Sequence, residues 1–145
     1  MSLSVHFGWP LRVYWEDTYA GGIVFYANYL KFFERARTEW LRALGVEQHA
    51  LKGQTQGMFI VSETQLKYLG PARLDDQLWV TARLIEKGRA SLVVAQEAYK
   101  MTPTLNLGDP SQGPKLCEGH IRIGWVNADT LKPSRIPQTI LEKFE

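Results

Sequence analysis

One long stretch of this sequence repeats its apolar residues at helical spacing, and the fold has to be built around it. From Ala27 onward Tyr29, Phe33, Ala36, Trp40 and Leu44 recur on one side, while Lys31, Arg35, Thr38 and Arg42 fall mostly on the other. Asn28 stands where an N-cap belongs and Gly45 where a C′ residue belongs, so start and stop signals bracket the periodic run. A helix with so broad an apolar face needs a cover. Just upstream, Gly21-Gly22 permits a tight turn and lets the backbone approach a ligand where helix N–H groups lack intrahelical partners.

The cover is supplied by segments of period two. Leu11–Trp15 reads as a strand entered at Pro10, and a short helical piece runs from Val46 to Lys52. Met58–Leu69 follows, with Thr64, Leu66 and Tyr68 on one face and Glu63, Gln65 and Lys67 on the other, stopped by Gly70-Pro71. Leu78, Val80, Ala82 and Leu84 alternate with Trp79, Thr81, Arg83 and Ile85, and Lys87-Gly88-Arg89 turns this run into Leu92–Lys100 as a hairpin. Thr102–Lys115 carries too many prolines and glycines for regular structure. Leu116–Val126 resumes the alternation, with Cys117, Ile121, Ile123 and Trp125 on one face, and a short helix starts near Pro137. One strand, one long helix and then consecutive antiparallel strands make an α+β domain, a sheet wrapped on a central helix. Trp79 and Ile85 put large apolar groups on the second face of the sheet, for which a homo-oligomer is the simplest cover.

A chain of 145 residues holds one sizeable core, and nothing in it divides residues 1–145 into two domains. The formal charge of +2 is spread among acids, which argues against nucleic acid and leaves cations enough for an anionic small molecule. The single cysteine, Cys117, excludes an internal disulfide, fits a reducing compartment and has no companions for a metal site. No stretch approaches the roughly 20 apolar residues of a membrane span, and no charged leader precedes an apolar run, so a soluble cytoplasmic chain is expected.

The run RVYWEDTYAGGIVFYANY from Arg12 to Tyr29, continued by FFERARTEWLRALG and later by YLGPARLDD, closely resembles the hotdog-fold acyl-CoA thioesterases of the 4-hydroxybenzoyl-CoA thioesterase type. Within them it looks most like the bacterial enzymes associated with the Tol-Pal envelope system. The resemblance covers nearly the whole chain apart from Thr102–Lys115. It implies a long helix wrapped by an antiparallel sheet, dimers joined edge to edge that often pair into tetramers, and a site at the dimer interface. It also implies hydrolysis of an acyl-CoA thioester with no metal or redox cofactor, coenzyme A entering as part of the substrate.

The resemblance places the oxyanion donor at the N–H of Tyr26, behind Gly22, and the catalytic aspartate at the position of Tyr19. Here the pattern departs from the family. A phenol ordinarily holds its proton at neutral pH, and it substitutes poorly for a carboxylate that attacks the thioester or activates water. Asp17, two residues away, is either a displaced base or a residue that bonds nearby backbone in an Asx turn. Glu34 either lines the site or pairs along the helix with Arg37. Phe25, Tyr26 and Tyr68 are positioned to contact an acyl group or to fill the core, and Arg73, Lys87 and Arg89 are the cations for the phosphates of coenzyme A. His6, His49 and His120 lie in separate segments, which disfavours a hydratase built on a histidine–carboxylate pair. Two functions remain: an acyl-CoA thioesterase, and a silent module that holds acyl-CoA or an acyl-carrier partner.

Overall fold

The computed structural model describes residues 7–102 and 109–144; the expected excursion at Thr102–Lys115 lies partly outside them, and His6 wholly. In chain order the strands and helices are β1 (Gly8–Arg12), the short β2 (Thr18–Tyr19) and β3 (Ile23–Val24), α1 (Tyr29–Ala43) and α2 (Gln48–Thr55). They continue with β4 (Gly57–Tyr68), β5 (Gln77–Thr81), β6 (Arg83–Lys87), β7 (Ser91–Lys100), β8 (Lys115–Asn127) and α3 (Gln138–Leu141). The main sheet runs in the order β1-β5-β7-β8-β4, with β6 beside β7 beyond the end of β5, and every pairing is antiparallel. The α+β class expected from the sequence is the one found. Among the described residues no helix is long and apolar enough to cross a membrane.

Helix α1 buries Tyr29, Phe32, Phe33, Ala36, Trp40 and Leu41 against the inward row of the sheet, Leu78, Val80, Leu92, Val94, Ala98, Cys117, Ile121, Ile123 and Trp125. Full burial of each large side chain contributes roughly 1.5–3 kcal/mol, which holds the helix to the sheet far more firmly than propensity would. Its C-terminus closes as the sequence predicts. Gly45 takes φ +86°, its N–H donates to the Arg42 carbonyl at 3.0 Å and the Val46 N–H donates to the Leu41 carbonyl at 2.7 Å, a Schellman cap.

The N-terminus closes differently. Asn28 has helical backbone angles and caps nothing, because the 3-10 turn Tyr26–Asn28 runs straight into α1 and the helical conformation begins after Phe25. The first strand is also displaced: it occupies Gly8–Arg12, while Trp15–Asp17 forms a 3-10 turn. Pro10 sits inside β1, opposite Trp79, where an edge strand can dispense with one N–H. Trp79 finds part of its cover within the chain, lying against the glycine at position 8 where a Cβ would collide with its indole. Ile85, at a bulge in β6, stays exposed.

Candidate functional site

Two short strands and a turn place the first group of residues. Thr18 and Tyr19 pair with Val24 and Ile23, and the turn between them closes with the Gly22 N–H donating to the Tyr19 carbonyl at 3.0 Å. Both glycines have positive φ, +89° at Gly21 and +72° at Gly22, a conformation that bulkier residues adopt only with strain. A Cβ added at either would meet open space, so backbone conformation selects glycine here and the face above the turn stays clear.

The GPARLDD segment braces this hairpin from behind. The Val24 N–H donates to the Ala72 carbonyl and the Leu74 N–H to the Gly22 carbonyl, both at 2.9 Å, and Arg73 bridges Ile23. Asp76 in turn accepts from the Arg73 N–H through its carboxylate, and the Arg73 side chain extends into solvent beside the turn. The sequence assigned Arg73 to phosphate; the fold brings it next to Gly22.

Asp17 is the clasp of the junction. It is 2% exposed, and both carboxylate oxygens are occupied: Oδ1 accepts from Asn28 Nδ2 at 2.7 Å and Oδ2 from the Tyr14 N–H at 2.8 Å. Its backbone carbonyl accepts from the Phe25 N–H at 3.1 Å. That residue therefore ties the strand, the hairpin and the helix entrance together, the backbone-bonding alternative of the two readings. Beyond it, Tyr26 and Ala27 open a helical run whose first N–H groups have no intrahelical acceptor.

Aromatic rings surround this entrance in a continuous series. Tyr19 meets Phe25 edge-on at 5.6 Å between centroids, Phe25 meets Tyr26 at 4.8 Å, and Tyr26 meets Tyr68 edge-on at 5.9 Å. Tyr68 then contacts Tyr29, and Tyr29 contacts Phe32 in the core. Tyr19, Phe25, Tyr26 and Tyr68 are all well exposed. Burial, with Cys117 nearby, pushes the Tyr29 hydroxyl up to about 12, and burial likewise raises Cys117 to about 12 and Tyr68 above its ordinary value. These groups stay neutral at physiological pH and make an uncharged wall.

Other expected site residues stand apart. Lys87 and Arg89 flank the β6–β7 turn, where Lys87 pairs with Leu92, whereas the strand that leaves the braced hairpin pairs Leu78 with Lys100. Those two ends of β7 lie roughly 25 Å apart at strand spacing, so one chain does not bring these cations to the glycine turn. Glu34 lies two helical turns beyond Tyr26 and bonds Thr38 Oγ1 at 2.8 Å. It lines a cavity of about 210 Å³ with Arg37, Leu41, Ile60, Val61 and Ile123. Among the described residues no cluster of histidine, cysteine and carboxylate is suited to a metal ion.

The sequence reading missed two buried polar residues. Gln96 is wholly buried between the inward-facing Val94 and Ala98, and its Nε2 donates to the Phe33 and Thr81 carbonyls at 3.0 and 3.2 Å. Its Oε1 accepts from Arg37 Nη1 at 3.0 Å, and Arg37 is 8% exposed. The signal was present: Arg37 lies four residues from both Phe33 and Leu41, on the apolar stripe rather than across from it.

The family described as the thioesterase superfamily matches residues 21–106, from the two glycines of the turn through α1 to β7. The chain belongs to the thioesterase superfamily. The acyl-CoA thioester hydrolase YbgC of Escherichia coli is 37% identical over 139 residues, 96% of this chain and 96% of that one. The acyl-CoA thioesterase YbgC of Haemophilus influenzae is 35% identical, over 95% of this chain and 93% of its own. Among solved structures, a probable thioesterase from Bartonella henselae is 28% identical with a TM-score of 0.74, covering 90% of this chain and 98% of that chain. Within the superfamily the fold is the hotdog, the long α1 packed on one large antiparallel sheet.

Proposed function

We propose that this member of the thioesterase superfamily is an acyl-CoA thioester hydrolase in which the carbonyl-polarising half of the site is kept and the carboxylate is replaced by Tyr19. The helix entrance at Tyr26, preceded by two glycines with open space where a Cβ would stand, carries this reading. A thioester carbonyl seated there would be polarised by the Tyr26 N–H and the positive end of the α1 dipole, and such a donor is ordinarily worth on the order of 10²–10³ in rate. In the reaction, water adds to the carbonyl carbon, the C–S bond breaks, and the proton lost by water ends on the departing thiolate. Tyr19 does not supply the base that a carboxylate would. Asp17 could supply it only by giving up a buried hydrogen bond, a loss of about 1–3 kcal/mol. Slow turnover of a small acyl- or aryl-CoA follows, with the ring series Phe25, Tyr26 and Tyr68 against the acyl group.

The assembly we propose is a homodimer, paired further into a tetramer, joined through the outer edge of β4. That strand pairs β8 on one side, leaves the other unpaired among the described residues, and exposes Ile60 and Val61. Antiparallel pairing of two β4 edges sets the Gly57 end of one beside the Tyr68 end of the other. The β6–β7 turn lies on the Gly57 side, since Trp125 N–H donates to the Ala90 carbonyl and Trp125 pairs with Phe59. Lys87 and Arg89 of one protomer would thereby approach the glycine turn of its partner and meet the phosphates of coenzyme A together with Arg73.

The substituted carboxylate also favours a second reading, a module that binds acyl-CoA or an acyl-carrier partner without turnover. Thiol release from short, long and aryl acyl-CoAs, measured with binding for the wild type and for Tyr19→Asp, separates the two. A rise of roughly 10²–10⁴-fold on restoring the carboxylate is the expected result. Tight binding with no turnover by either protein would favour the module, and absence of binding would overturn both.

A further inference from the structure

The cavity between α1 and β4 has a composition that the proposed chemistry does not use. Leu41, Phe59, Ile60, Val61 and Ile123 give it apolar walls, and Glu34, Arg37 and Thr38 complete the lining from α1. A guanidinium has five N–H donors. Among the described residues, that of Arg37 makes one hydrogen bond, through Nη1 to Gln96. Burial pulls its pKa down, with Glu34 acting in the opposite sense, yet a guanidinium remains charged under these conditions. A largely buried cation therefore borders the cavity with donors left over, and these stay open to solvent or to an acceptor that enters.

Glu34 does not complete it. The Glu34 side chain is solvent-exposed and turned to the Thr38 hydroxyl, and among the described residues the pair is not within ion-pair distance. Solvent screens the Glu34 charge, whereas the Arg37 charge acts in a medium of lower dielectric. Of the two charges that line the cavity, that of Glu34 is the more screened, and the free donors of Arg37 are the groups that would hold an anionic occupant. The volume of about 210 Å³ equals roughly seven waters' share of liquid, enough for a chain of a few carbons with a carboxylate at its end.

We propose that this cavity takes the distal carboxylate of a short dicarboxylic acyl group, held by the N–H donors of Arg37, and thereby selects acyl-CoAs that carry a second acid. The inference rests on the acyl-CoA reading and on β4 pairing, which sets the Ile60–Val61 end of one protomer beside the Tyr26 and Tyr68 end of the other. The thioester then lies against one chain and the far carboxylate reaches into the cavity of its partner.

The test is calorimetric binding of two thioethers that cannot be hydrolysed, S-(3-carboxypropyl)-CoA and S-butyl-CoA, to the wild type, Arg37→Met and Glu34→Gln. A charge-assisted contact of this kind predicts at least about tenfold tighter binding of the carboxylate in the wild type. Arg37→Met is expected to bring the ratio near one and Glu34→Gln, an exposed change that leaves the core intact, to widen it. Equal affinities in the wild type, or a preference that survives in folded Arg37→Met, overturn the inference and leave the acyl-CoA reading standing. Should Arg37→Met not fold, a ratio indifferent to Glu34→Gln counts against it in the same way. If neither thioether binds, the acyl-CoA reading falls, and titration of the Arg37 Nε–H resonance with free glutarate decides the cavity by itself: a saturable shift upholds the anion site, and its absence removes it.

Discussion

Asp17 shows how a carboxylate beside a glycine hairpin can be committed to structure. Its two oxygens satisfy one backbone N–H and one buried amide, so truncation strands both donors. Asp17→Ala is expected to lower stability by about 3 kcal/mol, read from denaturant midpoints at constant slope. A bond to nearby backbone was legible from the residue type, but it runs back to the Tyr14 N–H as in a capping box and not forward as in an Asx turn; the amide that Asp17 grips, eleven residues on, was not legible, because Asn28 looked like a cap. Gln96 and Arg37 were legible in principle from their register among apolar neighbours. Composition alone hides such residues, since a polar group in an inward row is recognised only after the row is fixed.

At the scale of elements, α1 owes its sharp end to a conformation. Gly45→Ala forces a Cβ into φ +86° and is expected to cost about 1 kcal/mol, measurable as a shift in the urea midpoint, while touching little beyond the Lys143 side chain. This end was readable because periodicity and the glycine agree. The other end was not, because a 3-10 turn precedes the α-helix and moves the first unpaired N–H groups back to Tyr26. The first strand slipped for a related reason: Leu11–Trp15 has strand composition, but the Asp17 N–H donates to the Tyr14 carbonyl and curls the segment, so pairing moved to Gly8–Arg12. Alternation along β4 was legible in sequence yet has little counterpart in burial, because both faces of an unpaired edge meet solvent.

At the scale of the whole molecule, the exposed edge of β4 sets an expectation for assembly. Val61→Lys places like charges near one another across a two-fold edge and is expected to convert dimer to monomer in light scattering, with the monomer still folded by circular dichroism. Stability should also fall in alkali. Cys117 and Tyr29 titrate at about 12 in the folded chain, chiefly through burial, as does Tyr99 through burial and its hydrogen bond to Glu97. Their ordinary values are 9.0 and 10.0, so between about pH 9 and 12 the unfolded chain sheds protons that the folded chain retains, and each unit of pH favours unfolding. Cys117→Ala is expected to delay the onset of that decline, seen as a flatter thermal midpoint near pH 9. The sequence showed helix, hairpin and sheet without showing which strand would be left at an edge, a property of the complete order of strands.

The brace behind the glycine hairpin bears on calorimetry. Two hydrogen bonds from the 72–74 segment, with the Asp17 clasp, hold the turn in place within the folded chain. Its conformational entropy is surrendered during folding and not on encounter with a ligand. An acyl thioester should therefore dock with little entropic penalty from the protein, and amide exchange at Gly22 and Val24 should be as slow before the ligand arrives as after it.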